Sequence, residues 1–358
     1  MTLSLLGLNH RTAPLELRER LAIPPHGLSA AFHELHANLG IQEVVILSTC
    51  NRVEVYAVAS EPSSATARAL TEFFSARSEL SIDTFGPTLY ALTEDEAAAH
   101  LFRVAAGLES MILGESEIGA QVKQAYAAAR EHGATGPVLN RLFQKALHST
   151  KLTRTQTAIA QGQASIGSVV SALVEQVFGP GKLGTRDVLL WGAGKAAEAT
   201  AKHLLKRGIR QLWIVNRTQA KAQDLASLCR GGWVSWEQAL GHLAHVDVAI
   251  ICTQAPHYVI DEADLAAILP QRQGRPLVLI DLAVPRNIQP SLKQVPGLHL
   301  YNVDDLQSVA EAGLSHRRQA LAHCDRLIAE QVGHFLRWHQ TFFEKKKEGA
   351  CRSVAAFI

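Results

Sequence analysis

The stretch Val188-Leu189-Leu190-Trp191-Gly192-Ala193-Gly194-Lys195-Ala196-Ala197 decides the fold of the second half of this chain. Four apolar residues read as a buried strand, and the glycines after them open a helix that runs through Leu205. A glycine turn between a strand and a helix is the context that gives G-x-G-x-x-G/A its meaning. Gly192 supplies the tight turn, and Gly194 lets the backbone approach a pyrophosphate. Ala197 fills the third position, which needs only close helix–strand packing. Free N–H groups where the helix begins, at Ala193, Lys195 and Ala196, favour phosphate charge. The next strand, Leu212 to Val215, ends in Asn216-Arg217-Thr218, where an NAD-binding chain carries a carboxylate for the ribose 2′-hydroxyl. Arg and Thr suit a 2′-phosphate instead, so the cofactor expected is NADPH. The competing reading is a glycine turn in a sheet that holds no nucleotide.

Around this stretch, Val246 to Cys252 and Leu277 to Asp281 form further apolar strands. Strands alternating with helices predict a parallel, doubly wound sheet of Rossmann type. Upstream, strands at Leu3 to Leu8, Val44 to Leu47 and Val53 to Val58 are interleaved with helices at Leu15 to Leu21, Leu28 to Leu39 and Ser64 to Arg77. This β-α-β-β-α order suggests a small ferredoxin-like α/β unit. From Glu94 to about His148 the pattern is helical and rich in alanine. After Asn302-Val303-Asp304-Asp305, apolar residues recur near helical spacing from Leu306 to about Phe343 with no proline. Such a helix spans roughly 50–60 Å and is expected to lie against more than one domain. The fold class is therefore α/β, with a ferredoxin-like catalytic domain at 1–155 and an NADP-binding domain at 156–303. A long helix and tail at 304–358 complete the expected organisation.

Composition narrows the class. The 358 residues are 47% hydrophobic and 19% charged, ordinary globular values. With 35 basic and 33 acidic residues the net charge is +2, so no global charge advertises nucleic acid. The five cysteines, 50, 229, 252, 324 and 351, are scattered and include no CxxC pair, which indicates neither a disulfide framework nor a zinc site. The N-terminus lacks the basic start of a signal peptide, and no apolar run approaches membrane-spanning length. A soluble protein of the reducing cytoplasm is expected, with no membrane partner and no metal.

Cys50 lies in Leu47-Ser48-Thr49-Cys50-Asn51-Arg52, at the mouth of an apolar strand. Two readings stand: a small buried hydrophobe, as most free cysteines are, or a nucleophile whose thiolate a guanidinium such as Arg52 favours. A cysteine nucleophile together with a reduced nicotinamide suggests reduction of a thioester to an aldehyde.

At this point the chain resembles a known family. Gly7-Leu8-Asn9-His10-Arg11-Thr12-Ala13-Pro14, the segment around Cys50 and His100-Leu101-Phe102-Arg103-Val104-Ala105-Ala106-Gly107-Leu108-Glu109-Ser110 are similar to blocks of glutamyl-tRNA reductases. So are Leu113-Gly114-Glu115, Asp281-Leu282-Ala283-Val284-Pro285-Arg286 and Tyr301-Asn302-Val303-Asp304-Asp305-Leu306, and the likeness runs from residue 2 to about 340. It implies NADPH-dependent reduction of glutamyl-tRNA(Glu) to glutamate-1-semialdehyde, the entry to the five-carbon route to tetrapyrroles. It implies Cys50 as the nucleophile and His100 as a residue of the active site, either acid/base or positioner. Thr49, Asn51 and Arg52 are implied to line the substrate site, with Arg52 matching a carboxylate through its fork. Ser110, Glu115, Ser116, Glu117 and Gln121 are implied as further substrate-binding positions, Glu115 toward the α-ammonium. A homodimer is implied for the family, and an aminomutase is a plausible recipient of the reactive product.

The sequence departs from the family in places. Gly114-Glu115-Ser116-Glu117 replaces Gly-Glu-Pro-Gln, which frees the turn and adds negative charge near the expected glutamate pocket. Gln156 stands for a glutamate. Beyond Lys345-Lys346-Lys347 the likeness stops, where relatives continue into a helical dimerisation domain. Truncation by a frameshift is the expectation, with a lineage lacking that domain as the alternative. Arg141, Lys145, His148, Lys151 and Arg154 fall at three- and four-residue spacing, either a phosphate-contacting stripe or a solvated helix face. Three functions compete: an active reductase, a non-catalytic NADP- or tRNA-binding relative, and a dehydrogenase of small molecules with a structural Cys50. The first is favoured.

Overall fold

The structure, a computed structural model, describes residues 1–115, 117–157, 159, 166–253, 255–306 and 318–355. The chain divides into two compact units, 1–163 with 316–358, and 164–315.

The first unit is built on four antiparallel strands: β1 (Thr2–Asn9), β2 (Ile41–Ser48), β3 (Arg52–Ala59) and β4 (Tyr90–Thr93), in the order β2-β3-β1-β4. Helices α1 (Leu15–Leu21) and α2 (Leu28–Leu39) connect the first two strands. Helix α3 (Ser63–Ser78) and the short α4 (Ile82–Phe85) lead to β4, which closes the ferredoxin-like pattern that the sequence showed only as far as its second helix. Four residues, none of them buried, are too few for a periodic signal, which is why β4 was not read from the sequence.

Three more helices, α5 (Glu94–Ala105), α6 (Glu117–Glu131) and α7 (Pro137–Gln156), pack against β1, β2 and β3, while α2 and α3 also lie on them. Strands β1 to β3 are consequently covered over most of their length, and all eight residues of β3 are buried. That explains why they read as continuous apolar runs rather than as alternating ones.

In the second unit, α8 (Ile166–Phe178) precedes β5 (Asp187–Trp191), α9 (Lys195–Lys206), β6 (Gln211–Val215), α10 (Gln219–Cys229) and β7 (Gly232–Trp233). Next come α11 (Ala239–His242), β8 (Val248–Ile251), α12 (Glu262–Ile268), β9 (Leu277–Asp281) and β10 (Leu298–Asn302). All pairs are parallel, in the order β10-β9-β8-β5-β6-β7. This is the doubly wound Rossmann order, with its reversal between β5 and β8. The sequence expectation lacked β7 and β10; β7 has only two residues, and β10 carries the polar His299 and Asn302.

The last helix, α13 (Arg318–Ala355), belongs to the first unit, where it packs on α5 and α7. Cys324, Ile328, Val332 and Phe335, one face at three- and four-residue spacing, join that unit's core. The expected helical start at Leu306 falls partly on 307–317, outside the described residues. No helix among the described residues is long and apolar enough to cross a membrane.

Candidate active site

Cys50 sits in the turn between β2 and β3, and the side chain of Thr49 shapes that turn. Thr49 N–H donates to the Arg52 carbonyl at 2.8 Å, and the Thr49 hydroxyl oxygen accepts from the N–H groups of Asn51 and Arg52 at 3.2 Å. His10 N–H donates to the Asn51 carbonyl at 2.8 Å. The buried Arg18 donates to the Cys50 carbonyl at 2.5 Å and to Asn51 Oδ1 at 3.4 Å. The tip is thereby fixed from several sides, with Cys50 half-buried and in no disulfide.

Burial pushes the Cys50 thiol up to about 12. Glu115 adds to this, Arg18 opposes it, and Glu117 adds again. The guanidinium that favours the thiolate is therefore Arg18 rather than Arg52. Arg52 turns into the sheet instead: its Nη1 donates to Glu54 Oε1 at 2.7 Å and its Nη2 to the Glu109 carbonyl at 2.5 Å.

Glu54 is a residue that the sequence reading missed. Its buried carboxylate also accepts from Tyr56 and Tyr90, each at 2.7 Å, and His100 Nε2 lies 2.9 Å away. Burial opposes the charge, but Arg52 and then His100 outweigh it and hold the Glu54 carboxyl well below the usual range. The signal was present in Arg52-Val53-Glu54: two charges at i and i+2 share one face of a strand that is otherwise apolar.

Two buried nitrogens here, Arg52 Nε and His10 Nδ1, have no hydrogen-bond partner among the described residues. Burial, then Arg52, lowers His10 to about 4, so its imidazole is neutral near pH 7. Buried polar atoms without a protein partner call for an explanation, and a ligand's polar group is one.

The loop after α5 supplies the acidic side. Gly114 N–H donates to the Gly107 carbonyl at 2.8 Å, which folds the loop back on itself. Burial raises the half-buried Glu115 to about 7, with Glu117 adding to it and Ser110 and Arg52 opposing. Glu117, the first residue of α6, is raised by burial. Gln121, also half-buried, follows one turn later on α6. Ser116 lies outside the described residues.

Of the sequence-predicted residues in the first unit, Cys50, Glu115 and Glu117 interact electrostatically, as do Arg52, Ser110 and Glu115. His100 joins them through Glu54. Thr49 and Asn51 hold the turn. Arg141 of the basic stripe stacks its guanidinium over Trp338 of α13, 5.6 Å from the ring centre, so it is engaged within the unit.

In the second unit, the glycine turn follows β5. Gly192 has φ +126°, and a β-carbon there would stand 2.6 Å from the Cys252 carbonyl oxygen. Gly194 caps α9 with no side-chain hydrogen bond, and nothing lies within 4 Å of where its β-carbon would be. An open approach beside uncapped N–H groups fits a pyrophosphate. After β6, Asn216 Nδ2 donates to the Thr218 carbonyl at 3.0 Å. Arg217 and Thr218 are exposed beside it, and Arg217 makes no ion pair among the described residues. The tight turn and the open cradle thus fit the pyrophosphate of a dinucleotide, and Arg217 adds an available cation after the neighbouring strand.

The family model of the glutamyl-tRNA(Glu) reductase N-terminal domain matches residues 6–157, and that of shikimate/quinate 5-dehydrogenase matches 172–309. Glutamyl-tRNA reductase of Desulforudis audaxviator is 40% identical over 336 residues, covering 94% of this chain and 74% of that protein. The enzyme of Moorella thermoacetica is 41% identical over 332 residues, covering 93% and 75%. Among solved structures, glutamyl-tRNA reductase from Methanopyrus kandleri is similar with a TM-score of 0.52 and 31% identity, over 96% of this chain and 82% of that one. Catalytic-domain motif, dehydrogenase-type sheet and long-range identity agree: the chain belongs to the glutamyl-tRNA reductase family of oxidoreductases.

Proposed function

We propose that the chain reduces glutamyl-tRNA(Glu) to glutamate-1-semialdehyde with NADPH, through a thioester on Cys50. The observation that carries the reading is the fixed turn that presents the half-buried Cys50 within the electrostatic reach of Glu115. A thiol held near 12 is protonated at neutral pH and is a poor nucleophile. A substrate α-ammonium on Glu115 would cancel the largest charge that keeps it so, which couples substrate binding to thiolate formation.

The thiolate then attacks the ester carbonyl: a C–S bond forms, and the C–O bond to the terminal ribose of the tRNA breaks. A reduced nicotinamide dinucleotide held at Gly192 and Gly194 would supply hydride for the thioester carbonyl carbon. The C–S bond breaks with its electron pair on sulfur, which releases the aldehyde and restores the thiolate. His100, oriented by Glu54, and the neutral His10 are the imidazoles available to move protons here. Asn216, Arg217 and Thr218 support the choice of NADPH over NADH.

In this reading the product enters the five-carbon route to tetrapyrroles, in the cytoplasm, and is handed to an aminomutase. The exposed members of the α7 stripe, Arg141 over Trp338 together with His148 and Lys151, are available to tRNA phosphates.

The test is single-turnover reduction of glutamyl-tRNA by NADPH, with Cys50→Ser in parallel. Semialdehyde from the wild-type chain and none from the variant supports the thioester route. Equal product from both sinks it, and no product from a wild-type chain that still binds NADPH leaves the non-catalytic reading.

A further inference from the structure

The block Asp281 to Arg286 has no role in the reaction as described, yet a buried polar side chain begins it and another, Asn287, directly follows it. Asp281 ends β9 and is 2% exposed. Its carboxylate accepts from the N–H groups of Ala283 at 3.0 Å and of Asn287 and Ile288 at 2.8 Å each. This closes the loop after β9 into a fixed ring.

Asn287, fully buried, ties that ring to the neighbouring loop after β8. Its Nδ2 donates to the carbonyl of Ala255 at 2.9 Å, with His257 at 3.3 Å and Pro285 at 3.4 Å. Its Oδ1 accepts from the Thr253 hydroxyl. Its own carbonyl accepts from the N–H groups of Val259 at 2.6 Å and Ile260 at 3.1 Å. The side chain and the carbonyl of one residue thus hold two loops together, while its N–H closes its own loop on Asp281. The first of these loops begins at Cys252, whose carbonyl is the atom that Gly192 must clear.

Those loops lie at the carboxyl ends of β8 and β9, and the sheet order places them on one side of the reversal. The glycine turn and the 216–218 segment, after β5 and β6, lie on the other side and match the adenosine and pyrophosphate. A dinucleotide bound across the reversal extends its second half over β8 and β9. We infer that Asn287, anchored by Asp281, is a positioning residue that shapes the surface on which the reduced nicotinamide half of the dinucleotide rests. This rests on the cofactor reading given above.

The test separates the two halves of the cofactor. Calorimetric affinities for NADPH and for adenosine 2′,5′-bisphosphate are measured on the wild-type chain, Asn287→Ala and Thr253→Val. Loss of the clamp is expected to weaken NADPH about tenfold in Asn287→Ala, and less in Thr253→Val. The bisphosphate should bind all three alike, showing that the adenosine side remains folded. Parallel loss of both ligands in both variants would assign Asn287 a purely structural role and overturn the inference, as would unchanged NADPH affinity. A wild-type chain that binds the bisphosphate and not NADPH also overturns it, while one that binds neither removes the cofactor reading itself.

Discussion

Arg52 Nη1 and Glu54 Oε1 stand 2.7 Å apart inside the first sheet, and neither side chain reaches solvent. Two charges taken out of water cost more than their attraction returns unless further hydrogen bonds complete them. Here Tyr56, Tyr90 and His100 satisfy the carboxylate and the Glu109 carbonyl takes Arg52 Nη2, while Arg52 Nε has no partner among the described residues. Breaking the pair from one side leaves a bare buried charge. Glu54→Ala is therefore expected to destabilise the protein by about 3–5 kcal/mol and to release His100. Denaturant unfolding gives the first effect; a change under 1 kcal/mol would mean that Arg52 finds another partner. Because the Glu54 carboxyl is held well below the ordinary carboxylate value of 4.5, its stabilisation is complete above that value and declines as the pH falls below it. The variant's unfolding curve should lack that part of the acid limb.

The thiol makes a second prediction. Burial, Glu115 and Glu117 all hold Cys50 protonated. Glu117→Gln removes one of those two charges and keeps the side chain's size. It should lower the apparent thiol pKa and speed alkylation of Cys50 by iodoacetamide at pH 8, with Glu115→Gln doing so more strongly. A rate–pH profile of the free enzyme with its midpoint at or below the ordinary thiol value of 9.0 would contradict the arrangement.

Cofactor choice gives a third. An exposed guanidinium beside Thr218 gains only from a ligand that carries a 2′-phosphate, since NADH offers it a hydroxyl. Arg217→Ala should weaken NADPH by about tenfold to a hundredfold, the worth of one or two charge-assisted hydrogen bonds, and leave NADH unchanged. Equal loss for both nucleotides would move the discriminating group elsewhere.

Much of this was legible in the sequence where periodicity and local chemistry coincide. The strand, glycine turn and helix at 188–205 are one example: each residue's preference agrees with the fold around it. The site in the first unit was legible only in part. Cys50 and His100 were singled out as candidates and Glu54 was not, because an acidic residue in a strand reveals its partners only when α5 and β4 bring His100 and Tyr90 to it. Gly7 shows the same dependence: a β-carbon there would stand 2.8 Å from Glu54 Cγ, so it leaves room for a side chain on the neighbouring strand. Arg52 looked like a free fork for a substrate carboxylate, and its burial against Glu54 is a tertiary fact. The strands β4, β7 and β10 were lost for shortness or polarity.

The two glycines of the nucleotide turn allow the last prediction, since they should fail in different ways. Gly192 combines a φ of +126° with a backbone oxygen 2.6 Å from any β-carbon. Gly192→Ala must therefore strain the turn or push Cys252 and its loop aside, at a cost of about 1–3 kcal/mol before any ligand arrives. Gly194 has an ordinary φ of −83° and open space around its missing β-carbon. Gly194→Ala should leave the melting temperature within about two degrees of wild type, because nothing in the protein is displaced. Its methyl group would instead occupy the approach of the pyrophosphate to the α9 N-terminus, so NADPH and adenosine 2′,5′-bisphosphate should both bind about tenfold or more weakly. Stability loss at 192 and affinity loss without stability loss at 194 would distinguish a fold constraint from a ligand constraint two residues away. Undiminished binding by Gly194→Ala would remove the phosphate from this turn.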